Sequence, residues 1–380
     1  MKTQCLFLIS LVWSGYLYAI DFSGVNVAWQ YNLNVELRLA HRVFQNEEGI
    51  FVLLQVSADS LARWEYEFLI QDGYEAEHHE VIKPLSVDTI NSGKNEFSVK
   101  LHLASATQDL LVVRVYQFEQ DYYYDIALKI GNLSFPPIYP LDRNGLPIYK
   151  NYINRSGYSW NQMDSLHIIK YAEDFSRSAP PMADMKPLAP TARQDTAFQA
   201  KDSVFFEENF FYMVRDDINS STGVTILRTS PYFPKYRKLT ELVEAMLYLT
   251  SEVEEKALLK SRNLKKDFDS FWINNLNTKL RARDAIRQYY ESVEQANILF
   301  TDYKPGWKTD RGMMYMIYGV PDEVYRLDGL EEWYYDSGEA FEFNVISSFF
   351  APRTYSLRRS RNFEESWFRK VVKIRKGSSE

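Results

Sequence analysis

The spacing of apolar residues changes near Pro234, and this change constrains the fold more than any other feature of the chain. Before that point apolar residues recur at every second position, which is typical of strands that bury one face. After it they recur every three or four positions, which is typical of helices that pack on one side. Because the two patterns occupy separate parts of the chain, we predict an α+β fold with strands first and helices afterwards.

Residues 20–135 are predicted to form a β-sandwich domain. Apolar and polar residues alternate strictly over 29–39, which predicts a first strand with Trp29 and Leu39 on its buried face. Turn sequences such as Asn46-Glu47-Glu48-Gly49 separate the later runs. These later strands are predicted at 50–56, 63–70, 97–103, 110–116 and 122–130. Six or seven short strands with this spacing indicate a sandwich of immunoglobulin-like size.

The chain becomes rich in proline after the predicted sandwich. Residues 136–197 are predicted to be a connector with one strand at 166–171 and a loop from about 176 to 197. Two further strands are predicted at 209–215 and 223–228, joined by a polar hairpin loop at 216–222. We therefore expect a small β unit over residues 198–232.

Residues 233–380 are predicted to combine helices with a small antiparallel sheet. Apolar spacing favours three or four helices between Lys238 and Phe300, and Ser251-x-x-Glu254 has the form of a capping box that begins one of them. Three short strands are predicted at 313–318, 332–335 and 341–345, and the chain ends in a strand or helix at 366–374. Packing of the sheet on the preceding helices is the simplest arrangement.

The first nineteen residues have the composition of a secretory signal peptide. Lys2 provides a positive start, residues 5–17 are mostly apolar, and Ala19 is a small residue at the expected cleavage site. Cys5 is the only cysteine, and it lies too near the start for a lipoprotein signal. A mature chain without cysteine fits a bacterial periplasm better than an animal extracellular space. The sequence therefore predicts a periplasmic or secreted protein whose mature chain has no integral membrane span.

Charge and motifs exclude several classes of function. A net charge of -7 disfavours nucleic acid as a partner, although the tail over residues 353–376 is rich in Arg and Lys. No phosphate loop, dinucleotide fingerprint, Gly-x-Ser-x-Gly elbow or His-Glu-x-x-His motif is present. Glu77-His78-His79-Glu80 is the best metal candidate, but adjacent strand residues point to opposite faces and a solvated loop is favoured. We predict no cofactor and no metal.

A glycine-flanked polar segment near residue 310 is the candidate functional or structural motif. Its candidate residues are Gly306, Trp307, Thr309, Asp310, Arg311, Gly312, Pro321, Asp322 and Glu323. A functional interpretation makes Trp307, Asp310, Arg311, Asp322 and Glu323 the lining of a pocket in which an Asp/Glu pair does acid–base work. A structural interpretation needs no such pocket, and we favour it because no nucleophile or metal ligand accompanies the carboxylates.

Each motif residue has a sufficient structural reason to be present. Trp307 is expected to pack on the helices while its indole N–H finds a backbone partner. Thr309 or Asp310 can accept backbone N–H groups in the turn. Arg311 is expected to pair with Asp310 or Glu323. Gly312 is expected to supply a positive φ or a close backbone contact.

The motif resembles one known family. Gly306-Trp307-Lys308-Thr309-Asp310, continued by Gly319-Val320-Pro321-Asp322-Glu323-Val324 and Trp333-Tyr334-Tyr335, is similar to the GWxTD domain, whose name states its first five residues. The resemblance covers about residues 232–355. It implies an exported bacterial protein of a mostly uncharacterised family, and it supplies no catalytic residues.

Two functions remain open at this point. The first is a non-enzymatic interaction or assembly factor of the bacterial cell envelope, whose partners are other envelope proteins. The alternative is a hydrolase or carbohydrate-binding enzyme that uses carboxylates around the motif. The position of Trp307, Asp310 and Arg311 in the folded chain distinguishes a packing element from a cleft.

Overall fold

The chain has an α+β fold, and its computed structural model divides it into two compact units. The structure describes residues 21–35, 37–46, 48–57, 64–92, 96–118, 121–130, 137–155, 157–161, 166–172, 175–186, 189–200, 204–220, 223–276, 278–348, 351 and 353–377. The predicted signal peptide lies outside these residues. The first unit holds the described residues up to 30 together with 34–137 and 325–328, and the second holds 31–33, 138–324 and 329–377.

Eight strands are described in the first unit, arranged as two four-stranded antiparallel sheets. They are β1 (Arg38–Asn46), β2 (Gly49–Ser57), β3 (Trp64–Gln71), β4 (His79–Ile82), β5 (Ser86–Ser92), β6 (Glu96–Leu103), β7 (Leu110–Gln117) and β8 (Tyr122–Lys129). One sheet has the order β1-β2-β6-β5 and the other β4-β3-β7-β8. Residues from both sheets, such as Val52 and Val113, share one buried cluster. The predicted sandwich is therefore present.

The predicted strand at 29–39 is wrong for most of its length. Ala28–Tyr31 forms a 3₁₀ turn, and β1 begins only at Arg38. The N–H of Ala28 donates to Oδ1 of Asn26 at 2.9 Å, a local hydrogen bond that competes with strand pairing. Strands β4 and β5 were not predicted. Both lie at sheet edges and are largely exposed, so their sequences lack a buried face and the alternation that would reveal it.

The second unit begins with a β region that extends further than the predicted small β unit. Its strands are β9 (Pro140–Leu141), β10 (Tyr152–Ile153), β11 (Gly157–Trp160), β12 (Leu166–Tyr171), β13 (Gln194–Ala200), β14 (Val204–Phe205), β15 (Phe210–Arg215) and β16 (Val224–Arg228). One sheet has the order β10-β16-β15-β12-β13, and a smaller one has the order β14-β11-β9. A shared buried cluster joins residues of the two sheets, among them Trp160 and Tyr212.

The prediction of a connector with a single strand over 136–197 is corrected by these strands. Strand β12 and the hairpin of β15 and β16 were predicted, but β9, β10 and β11 were not, and the predicted loop ends inside β13. The three missed strands have two to four residues each, which is too short to show a period of two. Pro140 opens β9, a position where a strand tolerates proline.

Six α-helices are described in the second unit: α1 (Leu239–Met246), α2 (Glu252–Leu259), α3 (Leu264–Leu276), α4 (Lys279–Phe300), α5 (Asp310–Tyr318) and α6 (Glu364–Arg375). The first four confirm the prediction between Lys238 and Phe300. The capping box is also confirmed, since Ser251 Oγ accepts from the N–H of Glu254 at 3.3 Å and Glu254 Oε2 accepts from the N–H of Ser251 at 2.8 Å. Helix α6 settles the open choice at 366–374.

The C-terminal sheet packs with these helices. Strands β18 (Leu330–Tyr334), β19 (Ala340–Ile346) and β20 (Thr354–Leu357) pair antiparallel in chain order, and β17 (Glu323–Leu327) precedes them. The predicted strand at 313–318 is wrong, because this segment belongs to α5. Every residue from Gly312 to Tyr318 is buried, so the apolar run has no polar face to distinguish a helix from a strand.

None of the helices in the described ranges combines the length and the apolar character needed to cross a bilayer. Within the same ranges, no three of the His, Cys, Asp and Glu side chains are placed to share a metal ion. His79 lies at the start of β4 rather than in the expected loop.

Candidate functional site

The motif joins α4 to α5 through one tight turn. Gly306–Lys308 forms a 3₁₀ turn, and Thr309 is the N-cap of α5. Thr309 Oγ1 accepts from the N–H of Gly312 at 3.0 Å and donates to the carbonyl of Gly306 at 2.7 Å. A threonine satisfies a helix N-terminus in this way because its hydroxyl reaches the free N–H groups of the first turn. The expectation that Thr309 accepts a backbone N–H is confirmed.

The two glycines allow the backbone segments to touch. A Cβ atom on Gly306 would lie 1.9 Å from the carbonyl oxygen of Ala296 in α4. A Cβ atom on Gly312 would lie 1.9 Å from the carbonyl oxygen of Gly306. Neither distance is compatible with a side chain, so α4, the turn and α5 stack at backbone contact. Gly312 therefore serves the close-contact role predicted for it.

Trp307 is buried between the turn and the helices, with 2% of its surface exposed. Its ring packs edge-on against Tyr248 at 6.0 Å between centroids. Its indole N–H donates to the hydroxyl of Tyr236 at 2.7 Å. The partner is therefore a side chain, which corrects the prediction of a backbone acceptor.

Asn297 of α4 ties the motif to the segment before α1. Its side chain is fully buried. Oδ1 accepts from the N–H of Trp307 at 3.2 Å, while Nδ2 donates to the carbonyl of Pro234 at 3.0 Å. Because the oxygen and the nitrogen of this buried amide both make hydrogen bonds, Asn297 holds the turn against α4 and against the segment that contains Pro234.

Asp310 is a buried anion with a matched cation. Arg359 donates to both carboxylate oxygens, at 2.6 Å to Oδ1 and 3.2 Å to Oδ2. The N–H of Leu357 at the end of β20 donates to Oδ2 at 2.7 Å. Asp310 also opens α5, where the helix dipole favours a negative charge. The carboxylate is thus engaged by groups that join α5 to the C-terminal sheet.

Arg311 belongs to a second buried ion pair. Its guanidinium donates to Glu331 Oε1 at 3.3 Å and to the hydroxyl of Tyr31 at 3.1 Å, and it lies over the ring of Tyr355 at 3.4 Å. Glu331 is fully buried, and it also accepts from the indole N–H of Trp333 at 2.8 Å. Arg311 was expected to pair with Asp310 or with a neighbour such as Glu323. The structure pairs Arg311 with Glu331, and it pairs Asp310 with Arg359.

The remaining candidate residues lie in the turn after α5 and at the start of β17. Pro321 is buried, whereas Asp322 and Glu323 are exposed. Asp322 Oδ2 accepts from the N–H of Asp336 at 2.7 Å, and its own N–H donates to the carbonyl of Tyr334 at 3.0 Å. Asp322 therefore fastens one turn to the next, while Asp310 lies in the protein interior.

Two titratable groups beside the motif have shifted pKa values. Burial raises the pKa of the Asp302 carboxyl to about 6, against the opposing attraction of Arg311. Burial lowers the pKa of the Lys304 ammonium to about 8, against the opposing attraction of Asp310. Lys304 donates to the carbonyl of Ser176 at 3.2 Å. Removal from water is the main cause in both cases, as expected where a chain segment is packed into a junction.

Two concave sites in the described part of the chain, one beside residues 141–159 and one beside residues 281–288, have no motif residue in their walls. The structure thus brings Trp307, Asp310 and Arg311 together as parts of one packed junction and places Asp322 and Glu323 at its surface. The residues that complete the junction, Arg359, Glu331 and Asn297, were not singled out from the sequence. Arg359 lies within the basic tail noted there, but nothing in that tail distinguishes it from its solvated neighbours.

One known protein family matches part of the chain. The family model described as the GWxTD domain matches residues 210–376, which extends from β15 to the end of α6. No curated protein matches the chain. Residues 210–376 therefore match the GWxTD domain, and the motif of that domain lies at the junction Gly306–Gly312.

Proposed function

We propose that this chain is an exported protein of the bacterial cell envelope that acts as a non-enzymatic interaction or assembly factor. In this proposal the GWxTD motif stabilises the C-terminal domain and takes no part in chemistry. One observation carries the proposal: both motif charges are engaged in ion pairs inside the fold, Asp310 with the buried Arg359 and the half-buried Arg311 with the fully buried Glu331. A carboxylate enclosed in this way holds structural segments together.

Export is supported by the sequence at the N-terminus. Lys2, the apolar run that follows and Ala19 fit a signal peptide, and the only cysteine precedes the expected cleavage site. An interaction role is supported by the sheet-rich architecture and by aromatic side chains left exposed on the first unit. Phe118, Tyr122 and Tyr123 expose about half of their surface each, and aromatic residues are enriched at protein interfaces.

Fractionation of native cells tests the proposed location. We expect the protein in the periplasmic or secreted fraction with its N-terminus at Ile20, which N-terminal sequencing or intact-mass measurement would read directly. A chain that retains Met1 and fractionates with the cytosol would contradict export.

Crosslinking in the envelope tests the proposed role. We expect a photo-crosslinker placed at Tyr123 to capture the same envelope protein in replicate cultures, whereas one placed at the exposed Arg262 of the second unit should not. An enzymatic activity that is lost in an Asp310→Asn variant with unchanged thermal stability would overturn the structural interpretation of the motif.

A further inference from the structure

A pocket in the β region of the second unit lies apart from the GWxTD motif. Its volume is about 550 Å³, and its walls come from residues 141–159 together with Phe233 and Pro234. Pockets of about 300–1,000 Å³ accommodate small organic ligands. The size of this concave site is therefore sufficient for one.

The charges in the pocket wall are mainly positive. Arg143, Lys150 and Arg155 line it, and all three are exposed. Asp142 is the acidic residue among the lining side chains. Oδ1 of Asp142 accepts from the N–H groups of Asn144 and Leu146, at 2.8 Å each, so this carboxylate is engaged in its own turn. Three cations against one anion contrast with the net charge of -7 of the whole chain and favour an anionic ligand.

The loop that carries Arg143 is held in shape by its own hydrogen bonds. The N–H of Gly145 donates to the carbonyl of Asp142 at 3.1 Å, and Gly145 has a φ of +76° that favours glycine. The N–H of Asp142 donates to the carbonyl of Leu146 at 2.8 Å, which closes the turn. The backbone that carries Arg143 is thus ordered before a ligand arrives, and less backbone entropy is lost on binding.

Aromatic rings and amide groups form the other part of the wall. Tyr152 packs edge-on against Phe233 at 4.7 Å, and the ammonium of Lys150 lies 5.3 Å from the ring of Tyr152. The hydroxyl of Tyr158 donates to Oδ1 of Asn154 at 3.3 Å. Tyr152 and Phe233 are themselves buried and form the base of the pocket, while the half-buried Asn154 and Tyr158 offer amide and hydroxyl groups that suit a ligand with several hydroxyls.

We propose that this pocket binds a small acidic saccharide, meaning a sugar that bears a carboxylate or a phosphate. The guanidinium groups of Arg143 and Arg155 would take the acidic group, because their planar forks match carboxylate and phosphate oxygens. Asn154 and Tyr158 would recognise ring hydroxyls. This binding requires neither the GWxTD motif nor the proposed assembly role, so it can fail or succeed independently of them.

Isothermal titration calorimetry on the whole protein tests the proposal, with glucose 6-phosphate and galacturonic acid as probes. Glucose and inorganic phosphate are the matched controls, since each has one half of the proposed recognition. At least one acidic sugar should bind at least about tenfold more tightly than either control, and the affinity should fall as salt is added. Equal affinity for inorganic phosphate and the sugar phosphate would overturn the assignment of a saccharide.

A pair of variants of equal charge locates the binding. The double substitution Arg143→Ala/Arg155→Ala should weaken binding of the acidic sugar by at least about tenfold. The double substitution Arg262→Ala/Arg361→Ala removes two exposed arginines outside the pocket and should leave the affinity unchanged. Asn154→Ala should weaken the acidic sugar more than inorganic phosphate. Equal binding by the wild type and the pocket variant, or no binding of either acidic sugar, would overturn the proposal.

Discussion

Breaking the ion pair between Asp310 and Arg359 should lower the free energy of unfolding of the C-terminal domain, residues 233–377. The loss should be larger than the loss caused by breaking a nearby ion pair at the surface. Asp310→Ala leaves a buried guanidinium without its anion and removes the acceptor of the Leu357 N–H. Arg359→Met keeps an unbranched apolar side chain but leaves the carboxylate without its cation. The loss of unfolding free energy in each variant therefore measures how much an unpaired buried charge destabilises the domain.

The magnitude follows from burial. The Arg359 and Asp310 side chains are 7% and 9% exposed, and removing one partner of such a buried pair costs about 3–5 kcal/mol. The adjacent pair of Arg358 and Glu342 is a matched control, with side chains 54% and 45% exposed. Exposed pairs contribute about 0–1 kcal/mol, so Glu342→Ala should have a small effect.

Urea denaturation followed by tryptophan fluorescence measures these differences. The double variant Asp310→Asn/Arg359→Met should cost less than the sum of its two single substitutions, because it removes both charges and keeps an oxygen for the Leu357 N–H. If Asp310→Ala costs no more than Glu342→Ala, the ion pair does not stabilise the domain and the reasoning fails.

Three further substitutions test other parts of the junction by the same urea measurements. Gly312→Ala should cost about 3 kcal/mol or more, because the new methyl group meets a backbone carbonyl, whereas Gly24→Ala, with open space around it, should change stability by less than about 0.5 kcal/mol; equal effects would contradict the backbone contact. Trp307→Phe should cost about 1–3 kcal/mol, since the hydroxyl of Tyr236 loses its donor; an unchanged midpoint would show that this hydrogen bond is dispensable. Burial raises the pKa of Asp302 to about 6, so the folded state disfavours its ionised form, and the contribution of Asp302 to wild-type stability falls as the pH rises from about 4 to about 6. The stability of Asp302→Asn relative to the wild type should therefore increase between pH 4 and pH 7, and a constant difference would refute the shift.

The local structure of the motif was largely predictable from its residue types. Thr309 is a side chain that caps helices, and a glycine three residues later permits the close approach seen at Gly312. The identity of the following element was not predictable, since a fully buried run carries no polar face. A helix start at Thr309 was the signal that could have identified α5, because Asp310 then lies in its first turn.

The partners of the motif charges could not be predicted from spacing. Arg359 lies 49 residues from Asp310, and Tyr31 lies 280 residues from Arg311. Residue types alone make a neighbouring carboxylate the obvious partner for an arginine. In the folded chain the partner is Glu331, a fully buried glutamate on β18. The sequence around Glu331 gave no reason to expect that it is buried.

We propose that the motif charges support the fold and do not carry the function. The most direct test compares envelope crosslinking by the wild type and by Asp310→Asn/Arg359→Met, at a temperature where circular dichroism shows both to be folded. We predict the same crosslinked species in the same yield, because the variant retains the junction without its charges. Loss of the crosslinked species, or of any activity found for the wild type, in a variant that remains folded would contradict the claim.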